Sequence, residues 1–264
     1  MSMAEDGARG IGETAPRKLV IRTIDQTDVS AALAAGWADF KAAPAYGLFF
    51  GGVYTLGGWV IASMLMAAQL NYVIYPLVTG FALVAPFVAA GCYEVSRRLE
   101  RGLPLGWSAV LGAIFTDNGK ELGWMALVSG FVLIIWFDFA VFIYLMFFGL
   151  KVPTFGELIS LVATTPSGAL FLVVGNLTGM AIAAFVFSIS VVSAPLLLDR
   201  DVDFVTAMIT SFKATHANPK PMISWALMIG FLLLIAISTG LILLPLILPL
   251  LGHASWHMYR RVIE

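Results

Sequence analysis

The chain has 264 residues, of which 60% are apolar and 12% are charged, and its mean hydropathy is +0.93. Soluble domains of this length are less apolar, and so few charged residues leave too little polar surface for a separate soluble domain. The formal net charge of −1 gives no indication of a nucleic-acid partner. The composition therefore predicts a single integral membrane domain.

The N-terminal residues 1–27 mix acidic and basic side chains and lack the apolar core and small-residue cleavage site of a signal peptide. We interpret this segment as a flexible cytosolic tail that stays on the protein. The rest of the chain, residues 28–264, is predicted to form one transmembrane domain.

A first amphipathic helix is predicted directly after the tail, and two further ones follow later in the chain. Residues 28–41, 105–115 and 204–212 repeat apolar side chains at helical spacing, with Val29, Leu33, Trp37 and Phe40 in the first and Phe204, Met208, Ile209 and Phe212 in the third. We expect these helices to lie on the membrane surface or to cap the bundle. Their apolar stripes are predicted to pack against the bundle, and recruitment of a partner is the alternative.

Carboxylates are expected at two of these helix starts, since they can bind free backbone amides there. Asp28 is the candidate for the first helix, and Asp201 or Asp203 for the third. A fourth short helix, at residues 156–162, is expected on the opposite side of the membrane.

Six stretches with few or no charged residues are each long enough to cross a bilayer, because about 20 helical residues span its hydrocarbon core. Three of them belong to two runs, of forty-one and thirty-eight residues, that contain no Asp, Glu, Lys or Arg. The predicted spans are residues 46–69, 72–95, 122–149, 166–195, 222–240 and 242–259. Short joins between the first two and between the last two indicate antiparallel hairpins.

Fourteen of the fifteen Lys and Arg residues fall on one side of these spans, and only Lys151 falls on the other. Lys and Arg concentrate in the short cytosolic loops of membrane proteins. Both termini are therefore predicted to be cytosolic.

The predicted elements also suggest an internal repeat, because an amphipathic segment precedes each hairpin. The units would be residues 28–103, 104–200 and 201–264. In the first and last units a proline precedes an arginine pair by the same interval: Pro86 before Arg97 and Arg98, and Pro249 before Arg260 and Arg261. Parallel repeats of this kind build a pseudo-threefold bundle about an axis along the membrane normal. Chance similarity between apolar helices is the alternative.

Asp138 is the one carboxylate well inside a predicted span, roughly 20 Å from its cytosolic end. An ionised carboxylate in lipid costs several kcal/mol. One interpretation is a proton or cation site. The other is a protonated acid that hydrogen-bonds to a neighbour such as Ser129, Thr178, Ser188 or Ser190.

His253 and His257 lie one helical turn apart on a common face, a spacing that can present two imidazoles to one metal ion. No third ligand follows nearby, so structural hydrogen bonding is favoured over a metal site. Glu94 stands at the repeat position of His257. It can pair with Arg97 and Arg98 within its own turn or with His257 across the bundle.

Four arginines, Arg97, Arg98, Arg260 and Arg261, follow the predicted second and sixth spans, where they can contact lipid phosphates or anchor the helices at the headgroups. The chain has no phosphate-binding glycine loop and no HExxH, GxSxG or CxxC motif. We therefore expect a protein that is not an enzyme and carries no cofactor.

Three sequence stretches resemble a bacterial family of predicted integral membrane proteins of unknown function. They are GFALVAPFVAAGCYEVSRRLE at residues 80–100, APLLLDRD at 194–201 and LGHASWHMYRR at 251–261, and the resemblance extends over roughly residues 21–263. It implies a multi-pass protein of the bacterial inner membrane. Some members carry the label of a cytochrome c oxidase subunit, but three histidines are too few for the haem and copper ligands of a catalytic one.

Two functional hypotheses follow from the sequence. The first is a non-catalytic accessory or scaffold component, attached to a respiratory or other membrane complex, whose partners are the lipid bilayer and other membrane-protein subunits. The second is a small transporter or channel for a solute, proton or cation with Asp138 in its path.

Overall fold

The computed structural model of the protein describes residues 19–113, 116–150 and 154–264. Most of the predicted tail and Lys151 lie outside these ranges. Within them the regular structure is helical, apart from one isolated antiparallel bridge between Ile21 and Ile263. In chain order the helices are α1 (Gln26–Ala42), α2 (Pro44–Ala67), α3 (Asn71–Val88), α4 (Ala90–Glu100), α5 (Trp107–Gly112), α6 (Asp117–Phe148), α7 (Phe155–Thr164), α8 (Pro166–Ser190), α9 (Ser193–Asp199), α10 (Phe204–Ala217), α11 (Pro219–Ser238) and α12 (Leu244–Val262).

Four stretches in the described part of the chain are helical, long and apolar enough to cross a membrane: Pro44–Ala67, Gly119–Phe148, Pro166–Asp199 and Pro219–Ser238. They coincide with the first, third, fourth and fifth predicted spans. The prediction of an all-helical membrane protein is thereby confirmed. The second predicted span contains most of α3 and part of α4, and the sixth contains most of α12.

Tight turns connect α2 to α3 and α11 to α12, as the short joins predicted. Gln69 and Gly240 adopt left-handed backbone conformations there, with φ of 59° and 62°. The next amide in each turn donates to the helix carbonyl five residues back, at 2.8 and 2.9 Å. This pattern satisfies carbonyls that a helix end would otherwise leave free.

The helix starts differ in one case from the prediction. Asp25, rather than Asp28, caps α1, while Asp28 completes a capping box by accepting the Asp25 amide. Asp203 caps α10. Pro44 and Pro219 begin α2 and α11 directly after α1 and α10, because proline fits the first turn of a helix but not its interior.

The apolar stripe of α10 packs against the bundle in part, as predicted, because Phe204 and Met208 contact the largest buried cluster. The predicted packing was wrong for the other two members of the stripe. Ile209 and Phe212 are 50% and 44% exposed, whereas Ser211 is fully buried. The Ser211 hydroxyl donates to the Ser188 carbonyl at 2.9 Å and accepts the Val192 amide at 3.2 Å. Such a close approach to the end of α8 requires small side chains on the inner face of α10.

Glycines allow α12 to pack closely against α1 and α2. A Cβ atom at Gly36 would lie 2.5 Å from the backbone nitrogen of Ala254, and one at Gly51 would lie 2.5 Å from the Cα of Pro245. Both distances are far below van der Waals contact. These helices can therefore pack this closely only because glycine has no side chain at the contact.

The two ends of the described chain meet beside α12. The Arg22 amide donates to the Val262 carbonyl at 2.8 Å, and the Glu264 amide donates to the Val20 carbonyl at 3.0 Å. We call this end of the bundle the terminal end. The largest buried cluster includes Trp225, Trp256, Tyr259, Leu196 and Met125.

Candidate functional site: a polar layer at the terminal end

Polar and charged side chains from α1, α4, α9 and α12 converge near the terminal end, and we call this set the polar layer. Its members are Asp39, Glu94, Ser96, Arg97, Arg98, Glu100, Arg101, Asp199, His253, His257, Tyr259 and Arg260. Burial excludes water from much of this set. The partners of each charge therefore decide whether it is stabilising.

Breaks beside two prolines help to place α4 and α9 in the layer. The join between α3 and α4 at Ala89 follows Pro86 by three residues, and the join between α8 and α9 lies just before Pro195. A proline inside a helix removes one hydrogen bond and crowds the preceding turn. By contrast, α12 continues through Pro249.

Glu94 is the most deeply buried acid of the layer, with 1% of its side chain exposed. Its Oε2 accepts from Arg97 Nε at 2.7 Å, and its Oε1 accepts from Arg97 Nη2 at 2.9 Å and from Arg98 Nε at 2.7 Å. The hydrogen bonds that Arg97 donates to Glu94 raise the pKa of Arg97. Two guanidinium groups thus compensate one carboxylate, which confirms the predicted pairing within the turn.

His257 pairs across the bundle with Asp39 on α1, and not with Glu94. Its Nε2 lies 2.7 Å from Oδ2 of Asp39. Burial raises the pKa of Asp39, but the hydrogen bonds from His257 and Ser96 and the nearby histidine charges outweigh it, so the pKa lies below its ordinary value. The pair connects α1 to α12.

His253 is completely buried, and its Nδ1 lies 2.8 Å from the Ser96 hydroxyl of α4. Its Nε2 has no hydrogen-bond partner among the described residues. Both histidines of α12 therefore hydrogen-bond to different helices. No group of three or more His, Cys, Asp or Glu side chains in the described ranges is arranged to hold a metal ion.

Asp199, at the end of α9, connects three helices. Its side chain is 2% exposed, and its Oδ2 accepts from the Tyr259 hydroxyl at 2.7 Å. It also forms an ion pair with Arg101, and it approaches Arg260 at 3.5 Å and Arg200 at 3.7 Å. A carboxylate this buried would be strongly destabilising without such partners.

The remaining contacts fasten the end of α12. Glu100 accepts from Arg260 Nε at 2.9 Å and from Trp256 Nε1 at 2.8 Å. Arg261 lies 3.6 Å from the Asp28 carboxylate of α1. Each of the four arginines singled out in the sequence therefore pairs with an acidic side chain of the same chain.

Asp138 lies elsewhere, on the exposed face of α6. It has no hydrogen bond to any described residue. The predicted partners are engaged or oriented differently: Thr178 and Ser188 donate to carbonyls of their own helix, and the Ser129 hydroxyl is buried without a partner in the described chain. The expected internal hydrogen bond of Asp138 is not formed.

A cavity of about 170 Å³ opens between α3, α6 and α8. Its polar lining includes Tyr75 and Asn176, whose hydroxyl and side-chain oxygen are 3.0 Å apart, and the Trp136 indole, which donates to the Pro76 carbonyl at 3.0 Å. Asp138 does not line it. A step of two residues along a helix corresponds to a rotation of about 200° around its axis, so Asp138 and Trp136 point to opposite sides of α6.

Sequence reasoning missed Asp39, Ser96, Glu100 and Asp199 as members of the layer. Asp39 and Ser96 belong to helices that meet only in the tertiary structure. Asp199 offered one signal, because it directly follows a run of forty-one uncharged residues and precedes Arg200.

The apolar spanning helices and the ion-paired terminal end define a polytopic helical membrane protein. Residues 74–199, which run from α3 to the end of α9, match the model of a family described as predicted integral membrane protein (DUF2189). The resemblance to a membrane-protein family of unknown function is confirmed, although the matched segment is shorter than residues 21–263. No curated protein and no solved structure matches the chain.

Proposed function

We propose that the protein spans the bacterial inner membrane six times with both termini in the cytosol. In this proposal it is a non-catalytic accessory or scaffold subunit of a respiratory or other membrane complex, without a cofactor. Its partners are the lipid bilayer and other membrane-protein subunits.

The six-span topology is supported by the meeting of the two chain ends. Ile21 and Ile263 form a backbone bridge, so the segments before α1 and after α12 lie on the same side of the bundle. An even number of crossings follows. The excess of Lys and Arg on this side supports a cytosolic location.

Aromatic side chains near the terminal end support a position at the membrane interface. Trp37, Trp107 and Phe212 are all exposed on amphipathic helices. Aromatic side chains are favourable at the headgroup level, where one edge meets lipid and the other meets water. The exposed Ile209 and Phe212 of α10 fit the same location, since an interfacial helix buries apolar side chains in lipid.

The main support for the accessory role is that the buried charges of the polar layer pair with one another within this chain. Glu94 and Asp199 are almost completely buried, yet each is neutralised by arginines of this chain. The charges therefore connect helices to one another and give the terminal end a fixed shape. A rigid end of this kind suits a subunit that positions neighbours.

The topology can be tested with reporter fusions to the full chain. A fluorescent protein fused after Glu264 should fluoresce, as it folds in the cytosol, and alkaline phosphatase inserted at Gly149 should be active, as it requires the periplasm. The opposite pattern would contradict the proposed orientation.

The accessory role can be tested by crosslinking in intact membranes, followed by mild detergent extraction of a chain tagged at Glu264. We expect a membrane protein to be recovered in fixed stoichiometry and enriched over an unrelated tagged six-span protein. Recovery of this chain alone, with nothing enriched over that control, would contradict the proposal.

The transport hypothesis receives less support, because Asp138 lies on the exposed face of α6 and outside the cavity between the spans. We expect vesicles reconstituted with the protein to show no proton or cation flux above that of empty vesicles. Flux that Asp138→Asn abolishes would restore this hypothesis.

A further inference from the structure

The exposed face of α6 carries a regular stripe of side chains. Its members alternate at spacings of three and four residues and are all exposed: Trp124, Leu127, Phe131, Ile134, Asp138, Val141 and Leu145. This spacing follows one side of a helix, and it is also the spacing at the seam of two helices that pack along their length. We call it the α6 stripe.

The other side of α6 is already used within one copy of the protein. Met125, Ser129, Trp136 and Ile143 are buried there, and Trp136 packs against Gly179 of α8. The α6 stripe lies on the opposite side of the helix and is exposed in the described part of the chain. In a membrane it faces lipid or a second protein.

Asp138 makes lipid an unfavourable neighbour. It is the only charged residue between Leu122 and Leu150, and it lies about 4–5 Å from the middle of the apolar part of α6. An acid at this depth usually faces another protein group, because hydrocarbon offers no hydrogen bond. No described residue of its own chain supplies one.

In a second copy of the protein, Asp138 itself can be the missing hydrogen-bond partner, so no other residue type is needed. Two copies inserted in the same direction are parallel, so a twofold axis along the membrane normal brings each residue of the stripe to its twin at the same depth. A protonated carboxyl group both donates and accepts a hydrogen bond. Two Asp138 side chains are therefore complementary to each other.

We propose that two copies of this protein associate along the α6 stripe, with their Asp138 carboxyl groups hydrogen-bonded to each other across a twofold axis. The apolar members of the stripe pack above and below this pair. The cavity between α3, α6 and α8 stays on the far side of the helix. This association does not depend on the accessory role.

Oxidative crosslinking in native membranes tests the geometry. On a Cys92→Ala background, which removes the single native cysteine, Ile134→Cys places a thiol in the stripe, and Phe231→Cys places one at a matched position on α11. The native side chains are 60% and 62% exposed. We expect a disulfide-linked dimer for the first variant and none for the second. Equal crosslinking, or none in either, would overturn the proposal.

Substitution of Asp138 tests its part in the pair. Asp138→Asn keeps a group that can both donate and accept, so energy transfer between donor- and acceptor-labelled copies in micelles should give a dissociation constant close to that of the native protein. Asp138→Leu should raise the dissociation constant by roughly 3- to 16-fold, the range measured for hydrogen bonds between membrane helices. An unchanged constant for Asp138→Leu would overturn the proposal. Leu227→Ala on α11 serves as the control that should have no effect.

Discussion

The burial of Glu94 leads to a quantitative prediction for Glu94→Gln. Glutamine keeps the size of the side chain but removes the charge that three guanidinium N–H groups contact at 2.7 to 2.9 Å. Removing one member of a fully buried ion pair costs about 3–5 kcal/mol. The Arg97 and Arg98 side chains are 21% and 17% exposed and regain some hydration, so we expect a loss of about 2–3 kcal/mol in the free energy of unfolding.

Thermal unfolding in mild detergent, followed by near-ultraviolet circular dichroism, measures this loss. At about 2–4 °C per kcal/mol, the midpoint should fall by about 4–12 °C. Asp201→Asn is the matched control, because it removes one negative charge from an exposed side chain and should shift the midpoint little. If Glu94→Gln shifted the midpoint no more than Asp201→Asn, the layer would not stabilise the fold as argued.

Three further predictions concern the contacts around the polar layer. Gly36→Ala places a Cβ 2.5 Å from the backbone of α12 and should cost about 1–3 kcal/mol of unfolding free energy, whereas Gly52→Ala, with no atom within 4 Å of the new Cβ, should be neutral or slightly stabilising in the same melt. The lowered pKa of Asp39 means that the stabilisation contributed by its ionised carboxylate is complete above about pH 4 and is lost as the pH falls through the lowered value. The difference in melting midpoint between the native protein and Asp39→Asn should therefore shrink below about pH 4, and a constant difference would refute this assignment. Ser211→Ala leaves the buried Val192 amide without its partner and should lower the unfolding free energy by about 1–3 kcal/mol, a loss that denaturant titration would detect.

The elements that were predicted well depend on local signals. Long uncharged runs marked the apolar helices, because the length of such a run is a property of one chain segment. Asp203 was among the predicted caps for a similar local reason. Asp28 was predicted to cap α1 but Asp25 does so, since both acids can cap a helix and only the backbone geometry distinguishes them.

The elements that were predicted poorly depend on what each helix approaches. Ile209 and Phe212 of the α10 stripe were expected to pack inward, but the closeness of α8 selects small side chains such as Ser211 for that contact. His257 was considered with Glu94 because of their repeat positions, yet α1 brings Asp39 closer. The spacing of residues along the chain does not show which helices become neighbours in the folded protein.

The sequence by itself determined that this is a helical membrane protein, since the length of an apolar run decides whether a helix can cross a bilayer. It also put Arg97 and Arg98 within reach of Glu94, because residues three and four apart share a helix face. Only the tertiary structure decided that His257 meets Asp39 and that Asp138 faces outward. These outcomes depend on how helices far apart in the chain pack together, and close packing is a property of their combined surfaces.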